Sequence, residues 1–480
     1  MGEGFDPFTI EIVKEKLHAA ADEMGVVLAR TSMSPIVYEV LDFACGITDA
    51  DAQVVAQTNG LTLFTGTFGP QIQSILRKHG LEGMREGDVF ATNIPYEGGT
   101  HTCDVCLVKP IVVPPLGVRP RQAGSDPARW GQTPAGGRVI AFAVSVTHWI
   151  EIGGAVPGSI SPEATEIYQE GLQLPGVRVV EEGTPSQTLI DLIKANIRLP
   201  RTGIGDLNAG LAATAIGEAR VREACERYGA DLVLATFAHV LDHGEQIARA
   251  ELRKIPNGTY RASGVIDGDG VSDAEIPIAV AVTVGDDFLH ADFGGCAAQT
   301  RGPVNCSTGA LLSACKTVVR AITAPGARSN DGFFRPFSLT VPPGKYYIAV
   351  SAAHHHTFTT NSFTVDSPLA LASRREYWRL DVDGELMHGQ AAVDGSLCPL
   401  WASSLRYFVL WRSLRRCENV SVLLALTPSA QLVVFEPGDK EFKQLARYKV
   451  SADQTHAYPV ASGNRIFIKD KDSVTLWTVE

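Results

Sequence analysis

At Asn257-Gly258 the hydrophobic period of the chain changes, and that switch limits the folds open to it. Before it, residues 206–228 and 231–254 carry apolar side chains at helical spacing among alanine, glutamate and arginine, which predicts two long helices meeting at Gly229. After it, residues 258–293 read as short strands separated by Asp267-Gly-Asp-Gly270 and Gly285-Asp-Asp287, the pattern of an antiparallel unit. Gly302-Pro-Val-Asn-Cys306 interrupts the strands, and a helical period returns over 307–322. The expectation is an α+β chain.

The N-terminal part fits the same class. Residues 8–29 place apolar side chains at steps of three and four behind Asp6-Pro7, a cap followed by a first-turn proline. Residues 42–57 read as a hairpin around Asp49, Ala50 and Asp51, 68–79 as a helix, and 88–92 and 105–113 as strands. Between 114 and 137 the chain is rich in Pro, Gly and Arg, as in an exposed loop. With 480 residues, more than one domain is expected: a mixed α/β region over 1–255, a β-rich continuation over 256–344, an unassigned junction over 345–418 and a short all-β segment over 419–480. In that last segment, alternating apolar runs recur at the rhythm of a β-propeller or meander.

Composition excludes some roles. A formal net charge of −11 without a basic stripe argues against nucleic acid as a partner. No run approaches the ~20 apolar residues of a membrane span, and Met1-Gly-Glu-Gly-Phe-Asp-Pro7 shows no basic stretch leading into an apolar run, so secretion is not expected. The nine cysteines, an odd number scattered along the chain, are read as reduced thiols. The expected setting is the cytoplasm. A Walker-type phosphate loop does not occur.

Two stretches carry the chemistry. Asn93-Ile-Pro-Tyr-Glu-Gly-Gly-Thr-His-Thr-Cys-Asp104 delivers, through its Gly-Gly turn, an imidazole and a carboxylate three residues apart, and Thr147-His-Trp-Ile-Glu-Ile-Gly-Gly154 repeats an imidazole, a carboxylate and a Gly-Gly pair. His101, Asp104 and His148 make a set suited to Mn²⁺, Fe²⁺ or Zn²⁺. Residues i and i+3 of a strand face opposite sides, so convergence requires His101 to lie in a turn; the plain alternative is a surface histidine and a capping aspartate. Cys103 and Cys106 form a Cys-x-x-Cys with no second pair at zinc-site spacing, which favours inert core thiols. Cys306, just before a helix, is either an activated thiolate or a buried cysteine. His354-His-His356 has no acidic partner in a recognisable site and reads as a loop feature.

These segments resemble the hydantoinase B/oxoprolinase (HyuB-like) family over about residues 5–344. The ordered matches include Asp6-Pro-Phe-Thr-Ile-Glu-Ile-Val, Leu41-Asp-Phe-Ala-Cys, Gly98-Gly-Thr-His-x-x-Asp104, His148-x-x-Glu-Ile-Gly-Gly154, Thr165-Glu-Ile-Tyr-Gln-Glu-Gly-Leu172, Gly302-Pro-Val-Asn-Cys306 and Phe334-Arg-Pro336. The resemblance implies a subunit of an ATP-dependent cyclic amide hydrolase of the hydantoinase or 5-oxoprolinase type. A HyuA-like partner would activate the substrate with ATP and this chain would complete ring opening; an acetone-type carboxylase subunit is the related alternative. It further implies His101, Asp104 and His148 as ligands of a divalent metal, with Glu151 and Cys306 joining them as catalytic candidates. The chain has Ile94 and Glu151 where the family usually has Asp. Beyond Lys345 it lacks the family's Gly-rich region, and 419–480 looks like the last blades of a pyrroloquinoline-quinone-type propeller. That opens another alternative, a non-catalytic truncated subunit fused to propeller blades and acting as a binding module.

Overall fold

A computed structural model describes residues 5–58, 61–114, 137–341 and 450–451, together with the strands between 361 and 478. The expected loop tip within 115–136, the His354–His356 run, the residues around the 344–345 junction and most of 401–416 lie outside the described residues. The chain divides into two compact units, one of residues 1–259, 268–273 and 280–349, the other of 260–267, 274–279 and 350–480.

The first unit is built on a seven-stranded antiparallel sheet. Its strands are β1 (Phe43–Asp49), β2 (Val54–Gln57), β3 (Val89–Thr92), β4 (Asp104–Val113), β5 (Arg138–His148), β6 (Val177–Glu181) and β7 (Thr184–Pro185), in the order β2-β1-β5-β4-β3-β6-β7. β4 is buried along its whole length, because helices cover both faces. On one face lie α1 (Pro7–Thr31) and α6 (Pro200–Tyr228), sharing a core in which Leu17, Met24 and Leu28 meet Ile111, Ile140 and Ala213. The other is closed by α4 (Phe68–His79), whose Phe68, Ile72 and Ile75 pack on Val108, Phe142 and Val144. Short helices α2 (Pro35–Tyr38) and α3 (Thr62–Thr65) connect these elements, and α5 (Gln187–Asn196) leads into α6.

Local chemistry explains the boundaries. Asp6 caps α1 by accepting hydrogen bonds from the N–H groups of Phe8 and Thr9 at 3.3 and 3.1 Å, and Pro7 occupies the first turn, as the sequence predicts. α6 comes so close to the sheet that a Cβ at Gly217 would press on Met24 and Ala143. α6 ends at Gly229 with φ +89°, and α7 (Ala230–Leu252) follows directly. After the switch come β8 (Gly258–Ile266), β9 (Ile276–Val284) and β10 (Leu289–Asp292), with β10 antiparallel to β9. α8 (Thr308–Thr323) precedes β11 (Phe337–Thr340), which runs parallel to β10. Among the described residues, no helix is long and apolar enough to cross a membrane.

In the second unit, β12 (Asn361–Val365) pairs with β8, and β13 (Arg375–Leu380) with β14 (Leu386–Ala391). β15 (Phe408–Val409), β16 (Leu423–Leu426), β17 (Gln431–Glu436) and β18 (Lys443–Lys449) form a four-stranded antiparallel sheet, and β19 (Val460–Ser462), β20 (Arg465–Lys469) and β21 (Val474–Thr478) a three-stranded one. The expected strand rhythm is present, but the expected propeller is not supported. Among the described residues these strands make separate open sheets without closing a ring, and Leu432, Val450, Ile466 and Ile468 gather in one small apolar cluster. A blade is stabilised by neighbours on both sides, which strands enough for only one or two blades cannot provide.

Candidate metal centre

Antiparallel pairing brings three chain segments to one end of the large sheet. β4 begins at Asp104 and β5 ends at His148, and the two residues are direct partners in the ladder. β1, on the other side of β5, begins with Phe43 paired to Thr147, so Asp42 stands beside His148 and its carbonyl accepts the His148 N–H at 3.1 Å. The order β1-β5-β4 thus gathers one residue from each strand end without any proximity in sequence.

His101 reaches the same place through a turn. The Asp104 N–H donates to the His101 carbonyl at 3.1 Å, closing a four-residue turn just before β4, so residues 101 and 104 escape the alternation of a strand. Nε2 of His101 lies 3.0 Å from Oδ2 of Asp104, Nδ1 of His148 lies 3.0 Å from Oδ1, and the ring centroids are 5.0 Å apart. One ligand atom from each of the three residues can be chosen so that all lie within 4.8 Å of one another. Two donors bound at right angles about 2.1 Å from one ion stand about 3.0 Å apart, so these spacings suit a shared cation, and two imidazoles with a carboxylate suit a divalent transition metal. Thr100 also donates to Oδ2 of Asp104.

Burial and charge set the protonation of this cluster. Burial lowers the pKa of His101 and outweighs the attraction of Asp104. In His148 burial acts in the same direction, but the hydrogen bond and charge of Asp104, with Asp42, prevail and raise it. Asp42 is 5 % exposed, and its Oδ1 is buried with no hydrogen-bond partner. Burial, opposed by His148 and reinforced by Asp104, pushes its pKa up to about 7. Leu41, just before it, has φ +60°, a sparsely populated backbone state for leucine. Nothing in the spacing of the sequence marks Asp42 as a site residue, because it becomes one only through the β1–β5 pairing.

The remaining candidates are not among the three clustered residues. Glu151 is buried, is not one of the clustered ligands, and accepts from the Gly153 N–H, from the Arg198 N–H at 2.5 Å and from Arg198 Nη1 at 2.8 Å. Cys306 is half-buried and precedes Ser307, the N-cap of α8, whose Oγ accepts the Ala310 N–H at 3.0 Å and donates to the Gly99 carbonyl at 2.6 Å. It therefore neighbours the loop carrying His101. Cys103 and Cys106 are fully buried, and burial pushes both thiols up, as suits inert core residues.

Comparison with known proteins fits this geometry. The hydantoinase B/oxoprolinase profile matches residues 6–372. The B component of a putative D-/L-hydantoinase of Pseudomonas sp. (strain NS671) is 30% identical over 71% of this chain and 56% of its own length. The beta component of the caprolactamase of Pseudomonas jessenii is 28% identical over 74% of this chain and 57% of its own. A crystal structure of the ATP-dependent caprolactamase from that organism superposes with a TM-score of 0.62 at 26% identity, covering 72% of this chain and 55% of that one. A nucleotide-free acetone carboxylase shares the fold, with a TM-score of 0.63 at 16% identity, covering 96% of this chain and 66% of that one. The chain spans little more than half the length of these two curated relatives. With its family profile matched over residues 6–372 and its histidines and aspartate gathered at one sheet end, the chain belongs to the hydantoinase B/oxoprolinase family.

Proposed function

We propose that this chain is the metal-bearing half of an ATP-dependent cyclic amide hydrolase, completing ring opening of a substrate that a HyuA-like partner has activated. The observation that carries the reading is the convergence of His101, Asp104 and His148 at one end of the sheet. A divalent ion held there would polarise a carbonyl or activate a water molecule. Asp42 offers a second oxygen donor or a proton acceptor beside them, since its buried Oδ1 has no hydrogen-bond partner. Cys306 borders the same loop through Ser307 and stands as a second-rank catalytic candidate, whereas the contacts of Glu151 fit a structural role. The similar proteins named as hydantoinase and caprolactamase subunits support a cyclic amide as substrate and a second subunit as partner. The missing Walker loop supports ATP being used on that partner. Free thiols at Cys45, Cys103, Cys106, Cys225 and Cys315 suit a cytoplasmic setting.

The test is reconstitution. The chain, loaded with Mn²⁺ or Zn²⁺ and mixed with a HyuA-like subunit, should open hydantoin, 5-oxoproline or caprolactam in step with ATP hydrolysis. Alone it should do neither. Carboxylation of acetone by the mixture would move the assignment to the carboxylase branch; no turnover of any of these by a mixture that forms a complex would leave a binding module.

A further inference from the structure

We infer that Asn93 is the positioning residue of this centre, the group that holds the His101–Asp104 turn in its ligand-presenting form. The inference rests on the metal-centre reading and adds a residue to it. Asn93 is fully buried at the end of β3. Its Nδ2 donates to the Thr102 carbonyl at 2.6 Å and to the Leu172 carbonyl at 2.9 Å, while its Oδ1 accepts the Leu174 N–H at 2.7 Å. Two carbonyl partners on one side and an N–H on the other identify which amide atom is the nitrogen, and both of its donors are used.

The Thr102 carbonyl belongs to the central peptide of the turn. Rotation of that peptide separates the two common turn types, and the other type demands positive φ at the third residue. Cys103, the third residue here, is not among the residues with positive φ. The same peptide is held at its other end, where the Cys103 N–H donates to Nδ1 of His101 at 3.2 Å. Asn93 thus fixes the carbonyl of the turn's central peptide, and with it the turn that sets His101 beside Asp104; with an ion on Nε2 the ring would carry its proton on Nδ1 and release the Cys103 N–H. Thr102 strengthens the arrangement by donating from Oγ1 to the Glu170 carbonyl at 2.8 Å, tying the turn to the segment that also binds Asn93. Groups that orient metal ligands commonly change affinity by about 10–100-fold when removed.

Asn93→Asp keeps the shape and the acceptor for Leu174 but sets a carboxylate oxygen against two carbonyls. In the full chain, titrated calorimetrically with MnCl₂ well below its unfolding temperature, this variant should bind at least about 10-fold more weakly than the wild type while still unfolding cooperatively. A merely structural asparagine would lower the melting temperature and leave affinity within about twofold, and that result overturns the inference. Should the variant not fold, the wild type carries the test by hydrogen exchange: Mn²⁺ should slow exchange over 91–106 and 170–175 together, and protection confined to 98–106 refutes the coupling. If the wild type binds neither Mn²⁺ nor Zn²⁺, the metal reading fails separately. Asn93 is then judged by whether Asn93→Asp loosens 98–106 in the metal-free protein, and unchanged exchange there also overturns the inference.

Discussion

Residues 98–104 and 148–154 each hold an imidazole, a carboxylate and a Gly-Gly pair, yet only the first turns its carboxylate toward the ligand cluster. Asp104 faces His101 and His148, with Thr100 as a further donor. Glu151 instead closes its own loop, bound by Gly153 and by both backbone and side chain of Arg198, whose Nη2 also reaches the Gly154 carbonyl at 2.7 Å. Both stretches give their imidazole to the cluster, but the carboxylate of one joins it and that of the other braces a loop. Neighbours in space decide the difference: Asp104 is paired in the ladder with a histidine, whereas Glu151 lies past the end of β5, within reach of an arginine just before α6.

The largest contrast should come from removing each carboxylate's charge. Asp104→Asn should weaken Mn²⁺ binding by roughly 100-fold or more, because it neutralises the ligand shared by both imidazoles. Calorimetry on the two proteins decides; equal affinity would falsify the assignment of Asp104. The next effect is common to both stretches. Gly98 and Gly153 have φ of +104° and +81°, and an added Cβ would collide with Pro70 and with the Asn196 carbonyl respectively. Changing either to alanine should destabilise the fold by roughly 2–4 kcal/mol. At Gly99, where no positive φ is needed and the Cβ would meet nothing closer than the Ile94 carbonyl at 3.0 Å, the cost should be clearly smaller. Denaturant melts that rank Gly99→Ala level with Gly98→Ala would remove the conformational explanation.

Glu151→Gln should then cost about 1–2 kcal/mol of stability while leaving metal affinity within about threefold, since it leaves the cluster untouched and weakens the hydrogen bonds of a buried carboxylate to a half-exposed arginine. A large loss of affinity without loss of stability would move Glu151 into the catalytic set. The smallest effect concerns Glu170, near the metal loop, whose carboxyl is pushed up to about 7 by burial. Its folded pKa lies above the unfolded value, so its ionisation should erode stability as pH rises from about 4.5 to about 7. Glu170→Gln should therefore gain on the order of 1 kcal/mol at about pH 8 and almost nothing near pH 4.5. Parallel melts at the two pH values, with an equal gain at both, would exclude the burial explanation.

Much of the secondary structure was legible because it depends on neighbours in sequence. The Asp6-Pro7 cap, the helix over 68–79 and the two long helices around Gly229 follow from period and capping alone, and the hairpin over 42–57 is the observed antiparallel pair of β1 and β2. The propeller expectation came from the same local signal, strand rhythm, which says nothing about how sheets assemble. In the candidate site, the sequence singled out His101, Asp104 and His148 through recurring motifs. It set Glu151 and Cys306 beside them as catalytic candidates only, and it gave neither Asp42 nor Asn93 a role of its own.

By itself, then, the sequence determined which segments are helical or extended, where glycine permits a turn, and which side chains are able to bind a metal. Those are properties of short windows, set by sterics, capping and side-chain chemistry. Only the tertiary structure decided which of them act together. Asp42, Asp104 and His148 meet because β1, β5 and β4 are adjacent in one antiparallel sheet, and register across strands is fixed by burial on both faces of that sheet.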